Sequence, residues 1–76
     1  MSEIAFDIVK NYGILSEEKS GWKKEVNLIS WNNRDPKFDI RDWDPYHEKM
    51  GKGVTLSREE AKKLVEMLTV ALSETK

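Results

Sequence analysis

The hydrophobic positions of this chain change their spacing once, from two residues to three or four. Up to Leu56 the apolar residues tend to alternate with polar ones, which is the period of a half-buried β-strand. After Ser57 they recur every three or four residues, which is the period of an amphipathic helix. The pattern therefore predicts several strands followed by one helix.

Two stretches in the first half of the chain have strand character. The alternation of residues 4–9 predicts a first strand, and Gly13 predicts a bulge or a change of register before a turn at residues 16–21. Trp22–Trp31 is the next predicted strand. Its mixed pattern leaves open which row faces inward: Trp22, Lys24, Val26 and Leu28, or Lys23, Asn27, Ile29 and Trp31.

The third strand has the clearest alternation. It covers Lys37–Trp43 and follows a turn at residues 32–36, where Pro36 interrupts the ladder. Phe38 and Ile40 occupy one side, and the other side carries Lys37, Asp39, Arg41 and Trp43. If Phe38 and Ile40 face the core, the opposite side presents a row of basic and aromatic side chains.

A loop and a short strand precede the helix. The loop opens at Asp44-Pro45, and Gly51-Lys52-Gly53 leads into a fourth strand at Val54–Leu56, with glycines that allow close approach of a neighbour or a ligand. Ser57 and Glu60 match the capping box of a helix that runs to about Ser73. Its apolar stripe consists of Ala61, Leu64, Val65, Leu68, Ala71 and Leu72, widened by Met67 and Val70.

These elements predict an α+β fold with the order β-β-β-β-α, in which an antiparallel meander is covered on one face by the helix. Residues 1–76 form one domain, near the lower size limit for a self-sufficient core. The chain has no cysteine, and its wide apolar stripe predicts a homodimer. No apolar run approaches the roughly 20 residues that cross a bilayer, and no signal-peptide pattern is present. We therefore expect a cytoplasmic protein without a membrane partner.

The middle of the chain combines aromatic and basic residues. Residues 19–52 contain five of the seven aromatic residues, and residues 19–58 contain nine Lys and Arg against six Asp and Glu, although the whole chain has a net charge of −1. A ring beside a cation suits a nucleic-acid base next to its phosphate, and each such stack is worth ~1–3 kcal/mol. Packing in a core or a dimer interface accounts for single tryptophans equally well. The local charge favours single-stranded nucleic acid as a partner.

Two other classes of function stay open. A protein-interaction module would use the aromatic face for a peptide or another subunit. An enzyme would have to use the acidic residues and the histidine of residues 39–48, which are Asp39, Asp42, Asp44, His47 and Glu48. Their spacing matches no metal-ligand or nucleophile pattern, and Gly51-Lys52-Gly53 lacks the rest of a P-loop. We expect no enzymatic activity, no cofactor, no metal and no small-molecule substrate.

Two segments carry a family resemblance. FDIRDWDP at residues 38–45, followed by MGKGVTLSREEAKKLVEML at residues 50–68, resembles the single-stranded-DNA-binding domain of the transcriptional coactivator positive cofactor four. The chain is still more similar to a small bacterial subfamily of it, through four elements that together cover nearly the whole chain. These elements are GWKKE (21–25), SWN (30–32), PKFDIR (36–41) and HEKMGKG (47–53).

The resemblance implies a homodimer whose curved sheets form grooves for unpaired strands, while the helices cover the other face and join the subunits. It implies sequence-tolerant binding of single-stranded DNA, or of RNA, linked to transcription or DNA maintenance. By motif, the backbone or base contacts are Arg41, Trp43 and Lys52, with Trp22, Lys23, Lys24, Trp31 and Lys37 as partners on the sheet. Two positions depart from a groove lining: Leu28 is apolar and suits a core, and Asp39 is placed to orient Arg41, since it would repel a phosphate.

Overall fold

The computed structural model describes residues 5–75. Its elements are β1 (Phe6–Glu17), β2 (Lys23–Trp31), β3 (Lys37–Trp43), β4 (Met50–Leu56) and α1 (Arg58–Glu74). The strands form one antiparallel sheet in the order β1-β2-β3-β4. The predicted α+β class and element order are confirmed, and the expected start of the first strand at Ile4 lies outside the described residues.

The first strand is longer than its alternation predicted. β1 passes Gly13 and ends at Glu17, with three register shifts against β2. One of these shifts falls between Asn11 and Gly13, where the sequence indicated a bulge or a change of register. Each irregularity bends and twists the strand, so β1 contributes to the curvature of the sheet.

The fourth strand also begins earlier than predicted, at Met50 instead of Val54. Both glycines that suggested a loop belong to this strand, and Gly53 pairs with Arg41 of β3. A Cβ atom on Gly53 would lie 2.6 Å from the Ile40 carbonyl oxygen. Glycine is needed here because β3 and β4 approach too closely for any side chain, which confirms the close approach expected from the sequence.

The sheet curls strongly. Pairing places Phe6 beside Trp31 at one end of β2 and Trp43 beside Lys23 at the other end. The eight steps from Lys23 to Trp31 would span about 26 Å along a flat strand. The Phe6 ring centroid nevertheless lies 6.0 Å from that of Trp31 and 5.3 Å from that of Trp43. One ring can reach both ends only because the sheet closes around it, so the expected curvature is confirmed.

The enclosed side of the sheet, which we call the inner face, holds the core of the domain. On β2 and β3 it carries Lys23, Glu25, Asn27, Ile29, Trp31, Lys37, Asp39, Arg41 and Trp43. Among the described residues, the buried apolar ones are Ile29 and Trp43, and the buried polar ones are Glu25, Asn27 and Asp39. The row of β2 that contains Asn27 and Ile29 therefore faces inward, which the sequence did not decide.

The opposite side, the outer face, is apolar but only half-buried. It carries Val26, Leu28, Phe38 and Ile40. The sequence predicted a row of basic and aromatic side chains on the side opposite Phe38 and Ile40, provided that these two residues faced the core. That condition is not met in this chain, because the curl buries the opposite side, which is the inner face.

The helix begins as predicted and leaves its stripe uncovered. The Ser57 hydroxyl accepts from the Glu60 N–H at 3.1 Å, and the Glu60 carboxylate accepts from the Ser57 N–H at 2.8 Å, which completes the capping box. Among the described elements, α1 contacts β3 and β4 alone, and none of its described residues is buried. The expected cover of one sheet face by the helix is therefore incomplete in this chain.

Candidate nucleic-acid interface

Arg41 is paired with Asp39 from the same strand. Its Nε atom lies 2.7 Å from Asp39 Oδ1 and its Nη2 atom 2.9 Å from Asp39 Oδ2, while the Thr55 hydroxyl donates to Oδ2 at 2.9 Å. The Arg41 side chain is 15% exposed and that of Asp39 is fully buried. The guanidinium also lies over the Trp31 ring, 5.0 Å from its centroid. Asp39 thus orients Arg41, as the sequence suggested, and also neutralises the charge expected to meet a phosphate.

A second polar cluster surrounds the buried Glu25 carboxylate. His47 Nε2 lies 3.0 and 2.9 Å from its two oxygens. The Asn11 and Asn27 amides each donate to Glu25 Oε1 at 3.2 Å, and Asn11 donates to Asn27 Oδ1 at 2.7 Å. Sequence reasoning placed His47 in a loop and missed this cluster, because its members are spread along the chain, with His47 22 residues away from Glu25. The one available signal was the polar Glu25 and Asn27 alternating with apolar residues in β2.

Trp43 and Trp31 occupy different depths of the inner face. Trp43 is fully buried, with its ring centroid 5.3 Å from that of Phe6 and 5.5 Å from that of His47, whereas Trp31 is half-buried. The Nε1 atoms of both are buried and have no hydrogen-bond partner among the described residues. A base cannot contact Trp43 in this conformation, because the ring is fully enclosed. The position of Trp43 therefore does not support its predicted stacking role, and it matches the packing role that the sequence left open.

The four predicted lysines carry charges without a partner among the described residues. No described carboxylate oxygen lies within 4.0 Å of their ammonium groups. Lys23 is half-buried, and Lys24, Lys37 and Lys52 are exposed. They do not share one face: Lys23 and Lys37 hold inner-face positions, Lys24 holds an outer-face position, and Lys52 lies in the edge strand β4.

One of these lysines is linked to the start of the helix. The pKa of Glu60 is lowered, first because the Ser57 N–H donates to its carboxylate, with a smaller contribution from attraction to Lys37. Lys37 at the start of β3 therefore lies near the first turn of α1.

The loop between β3 and β4 is held by its first residue. Asp44 Oδ1 accepts from the backbone N–H groups of Glu48 at 2.7 Å and Lys49 at 2.8 Å. The Asp44 N–H donates to the Lys49 carbonyl at 3.1 Å, and the His47 N–H donates to the Asp44 carbonyl at 3.1 Å. The two N–H groups that donate to the carboxylate stabilise its charged form and lower the pKa of Asp44, and the Lys49 N–H has the larger effect. The loop therefore has a defined shape, in which His47 takes a left-handed φ of 58°.

This loop meets the turn between β1 and β2 at one end of the sheet. Gly21 has a φ of 95°, and a Cβ atom there would lie 2.8 Å from Pro45 Cγ. A Cβ atom on Gly51 would lie 3.6 Å from Trp22 Cζ3, so the half-buried Trp22 ring packs beside β4. We call residues 18–22 and 44–52 the loop end. It brings Trp22 together with Lys23, Lys49 and Lys52, while Trp31 and Lys37 lie toward the opposite end of their strands.

These surfaces carry unpaired lysines and partly exposed aromatic rings. Residues 5–75 enclose no pocket, and within the same range no group of three His, Asp or Glu residues is placed to hold a metal ion. No helix in the described part of the chain is long and apolar enough to cross a membrane. Unpaired lysines and partly exposed rings can neutralise phosphates and stack on bases.

Two comparisons with known proteins bear on this arrangement. The family model described as transcriptional coactivator p15 (PC4) matches residues 18–67, which include β2, β3, β4 and the first half of α1. An uncharacterized protein of Treponema pallidum (strain Nichols) is 48% identical over 63 residues, which cover 83% of this chain and 74% of that relative. Residues 18–67, which the family model matches, contain every candidate residue discussed above except those of β1.

Proposed function

This chain belongs to the transcriptional coactivator p15 (PC4) family, and from that premise we propose that it binds single-stranded DNA as a dimer, with little dependence on base sequence. The family is associated with single-stranded DNA binding and transcription coactivation, and its domain binds nucleic acid rather than catalysing a reaction. A role in transcription or in DNA maintenance follows from such binding. Single-stranded RNA is the alternative ligand, and its affinity is compared with that of single-stranded DNA in the titrations proposed here.

The observation that carries this proposal is the set of lysines without carboxylate partners. No ion pair among the described residues involves Lys23, Lys24, Lys37 or Lys52. Of the described lysines and arginines, Arg41 alone forms an ion pair. Free ammonium groups can neutralise phosphates and release the counterions bound to them. We assign base stacking beside them to Trp22 and Trp31, which are half-buried, and not to the enclosed Trp43. Single strands are favoured because their bases can leave the stack and pair with a ring.

We expect binding to oligo-dT to weaken steeply with salt and to exceed binding to a duplex of equal length. Lys24→Ala and Lys52→Ala should each lower the affinity for all sequences alike. Each should also flatten the slope of log affinity against log salt by about 0.7, the value per phosphate contact on a single strand. Fluorescence anisotropy with labelled oligo-dT, oligo-U and duplex at several salt concentrations measures both quantities.

Lys62→Ala serves as the matched control, since Lys62 is exposed on the polar side of α1. Its slope should equal that of the wild type. Equal affinity for duplex and single strand, or binding that does not change with salt, would contradict phosphate neutralisation with stacking. A salt-independent affinity for peptides would instead support an interaction module that uses the aromatic sheet surface.

The dimer part of the proposal rests on exposed apolar surface. Val65, Leu68 and Leu72 of the helix stripe are 64%, 49% and 73% exposed, while the apolar residues buried among those described are Ile29 and Trp43 alone. A domain of this size with so little buried apolar surface gains stability when a second copy covers the stripe. The half-buried outer face offers further apolar area to the same contact.

We expect sedimentation velocity at micromolar concentration to give the mass of two subunits. Leu68→Glu should produce monomers or unfolded chains, because burying a charge in an apolar interface is costly. Lys62→Glu places the same charge on the polar side of the helix and should leave the dimer intact. A single-subunit mass for the wild type, unchanged on concentration, would rule the dimer out.

A further inference from the structure

Tyr46 has an exposure that packing does not explain. It is 79% exposed, the highest value among the large hydrophobic side chains described. The next most exposed, Leu72 and Met67, belong to the helix stripe. Tyr46 lies instead in the loop between β3 and β4, away from that stripe, and gains almost no burial there.

The loop presents this ring on a rigid support. On one side of Tyr46, the Asp44 carboxylate accepts the N–H groups of Glu48 and Lys49. On the other side, the His47 ring binds both oxygens of the buried Glu25 and packs against Trp43. Because the loop is held on both sides of Tyr46, little ordering of the loop is needed when the ring binds a flat partner.

The surroundings of the loop supply positive charge and further aromatic surface. Lys49 in the loop and Lys52 just after it are exposed and have no ion pair among the described residues. The contact of Gly21 with Pro45 brings the turn before Trp22 against the same loop. A single-stranded nucleic acid whose phosphates contact Lys49 and Lys52 would therefore have its bases next to the loop end.

We propose that Tyr46 stacks on a base of the bound single strand, as a contact at the loop end in addition to Trp22. The proposal rests on single-stranded DNA binding as the function of the protein. Sequence analysis counted Tyr46 in the aromatic cluster but assigned it no contact, since its exposure depends on the shape of the loop. The ring acts through its face, and the phenolic hydroxyl is dispensable.

The test compares oligo-dT with an oligomer of the same length made of abasic sites, which keeps the phosphates and removes the bases. Tyr46→Ala should weaken oligo-dT binding by about 5- to 150-fold, the equivalent of one lost base stack. It should leave the affinity for the abasic oligomer unchanged. Tyr46→Phe should bind both oligomers as the wild type does, and Tyr12→Ala, which removes a ring 54% exposed on β1, should keep wild-type affinity for both.

The outcomes separate this inference from the function on which it rests. A wild-type protein that does not bind oligo-dT overturns the proposed function. A wild type that binds, with Tyr46→Ala binding equally well, overturns the role of Tyr46 alone. An equal loss on the abasic oligomer would mean that the substitution disturbs the lysines of the loop and would also overturn stacking. As a direct readout, 5-iodouracil placed along the oligomer should photocross-link to the peptide that contains Tyr46.

Discussion

Replacing Arg41 by Ala is expected to destabilise the subunit by about 3–5 kcal/mol, because it leaves a buried carboxylate without its partner. Asp39 is fully buried and receives two hydrogen bonds from Arg41 and one from Thr55. A loss of that size is a large part of the roughly 5–15 kcal/mol that stabilises a typical domain. Urea unfolding followed by tryptophan fluorescence measures it.

Arg34→Ala is the control, since Arg34 is exposed in the turn after β2 and has no ion pair among the described residues. It should change the free energy of unfolding by about 0.5 kcal/mol or less. The double variant Asp39→Asn/Arg41→Gln removes both charges and should recover part of the stability lost in Arg41→Ala. If Arg41→Ala were stable and flattened the salt dependence of binding, Arg41 would be a phosphate contact after all.

Trp43→Ala is expected to cost about 3–5 kcal/mol of stability, as large aromatic residues do when they are removed from a core. The ring is fully buried between Phe6 and His47, so its loss leaves a cavity at the centre of the curl. Trp43→Phe should retain more than half of the stability. Differential scanning calorimetry of both variants gives the change.

The informative comparison is with Trp22→Ala, which removes a half-buried ring at the loop end. Trp22→Ala should weaken oligo-dT binding by about 1–3 kcal/mol if the ring carries a base, with a smaller effect on unfolding. Trp43→Ala should show the reverse order of effects when binding is measured at a temperature where the variant is folded. Normal stability of Trp43→Ala together with lost binding would return Trp43 to the interface.

Local pattern was sufficient for the elements that have clear boundaries. β3 runs from Lys37 to Trp43 as predicted, since Pro36 and Pro45 flank a clean alternation. The capping box at Ser57 likewise placed the start of α1. The length of β4 was underestimated because glycine is rare inside strands. The close approach of Gly53 to β3 is a requirement of the tertiary structure, which composition does not reveal.

The surroundings of the candidate site residues could be predicted less completely than the strands, for a physical reason. Sequence reasoning assumes that the more apolar side of a strand is buried, which favours Phe38 and Ile40 over Asp39 and Trp43. The curl of the sheet instead buries the side that carries Asp39 and Trp43. Burial of the Asp39 and Glu25 carboxylates is tolerated because both receive hydrogen bonds from residues distant in sequence. The lysines were identifiable from charge alone, whereas the pairing of Arg41 and the burial of Trp43 depend on that curvature.

The hydrogen bonds among Asn11, Glu25 and Asn27 have a consequence for errors of strand pairing during folding. Because β3 holds β2 in register, a slip of one residue between β1 and β2 would turn β1 over and move Asn11 to the outer face. Val9 and Tyr12 beside Asn11 are 53% and 54% exposed, so hydrophobic burial alone distinguishes the two alignments poorly in this part of β1. The slip would, however, separate the Asn11 amide from both acceptors, and each buried polar group left unsatisfied costs about 1–3 kcal/mol. The polar cluster therefore favours the correct alignment of the first two strands, together with the packing of Phe6 against Trp31 and Trp43.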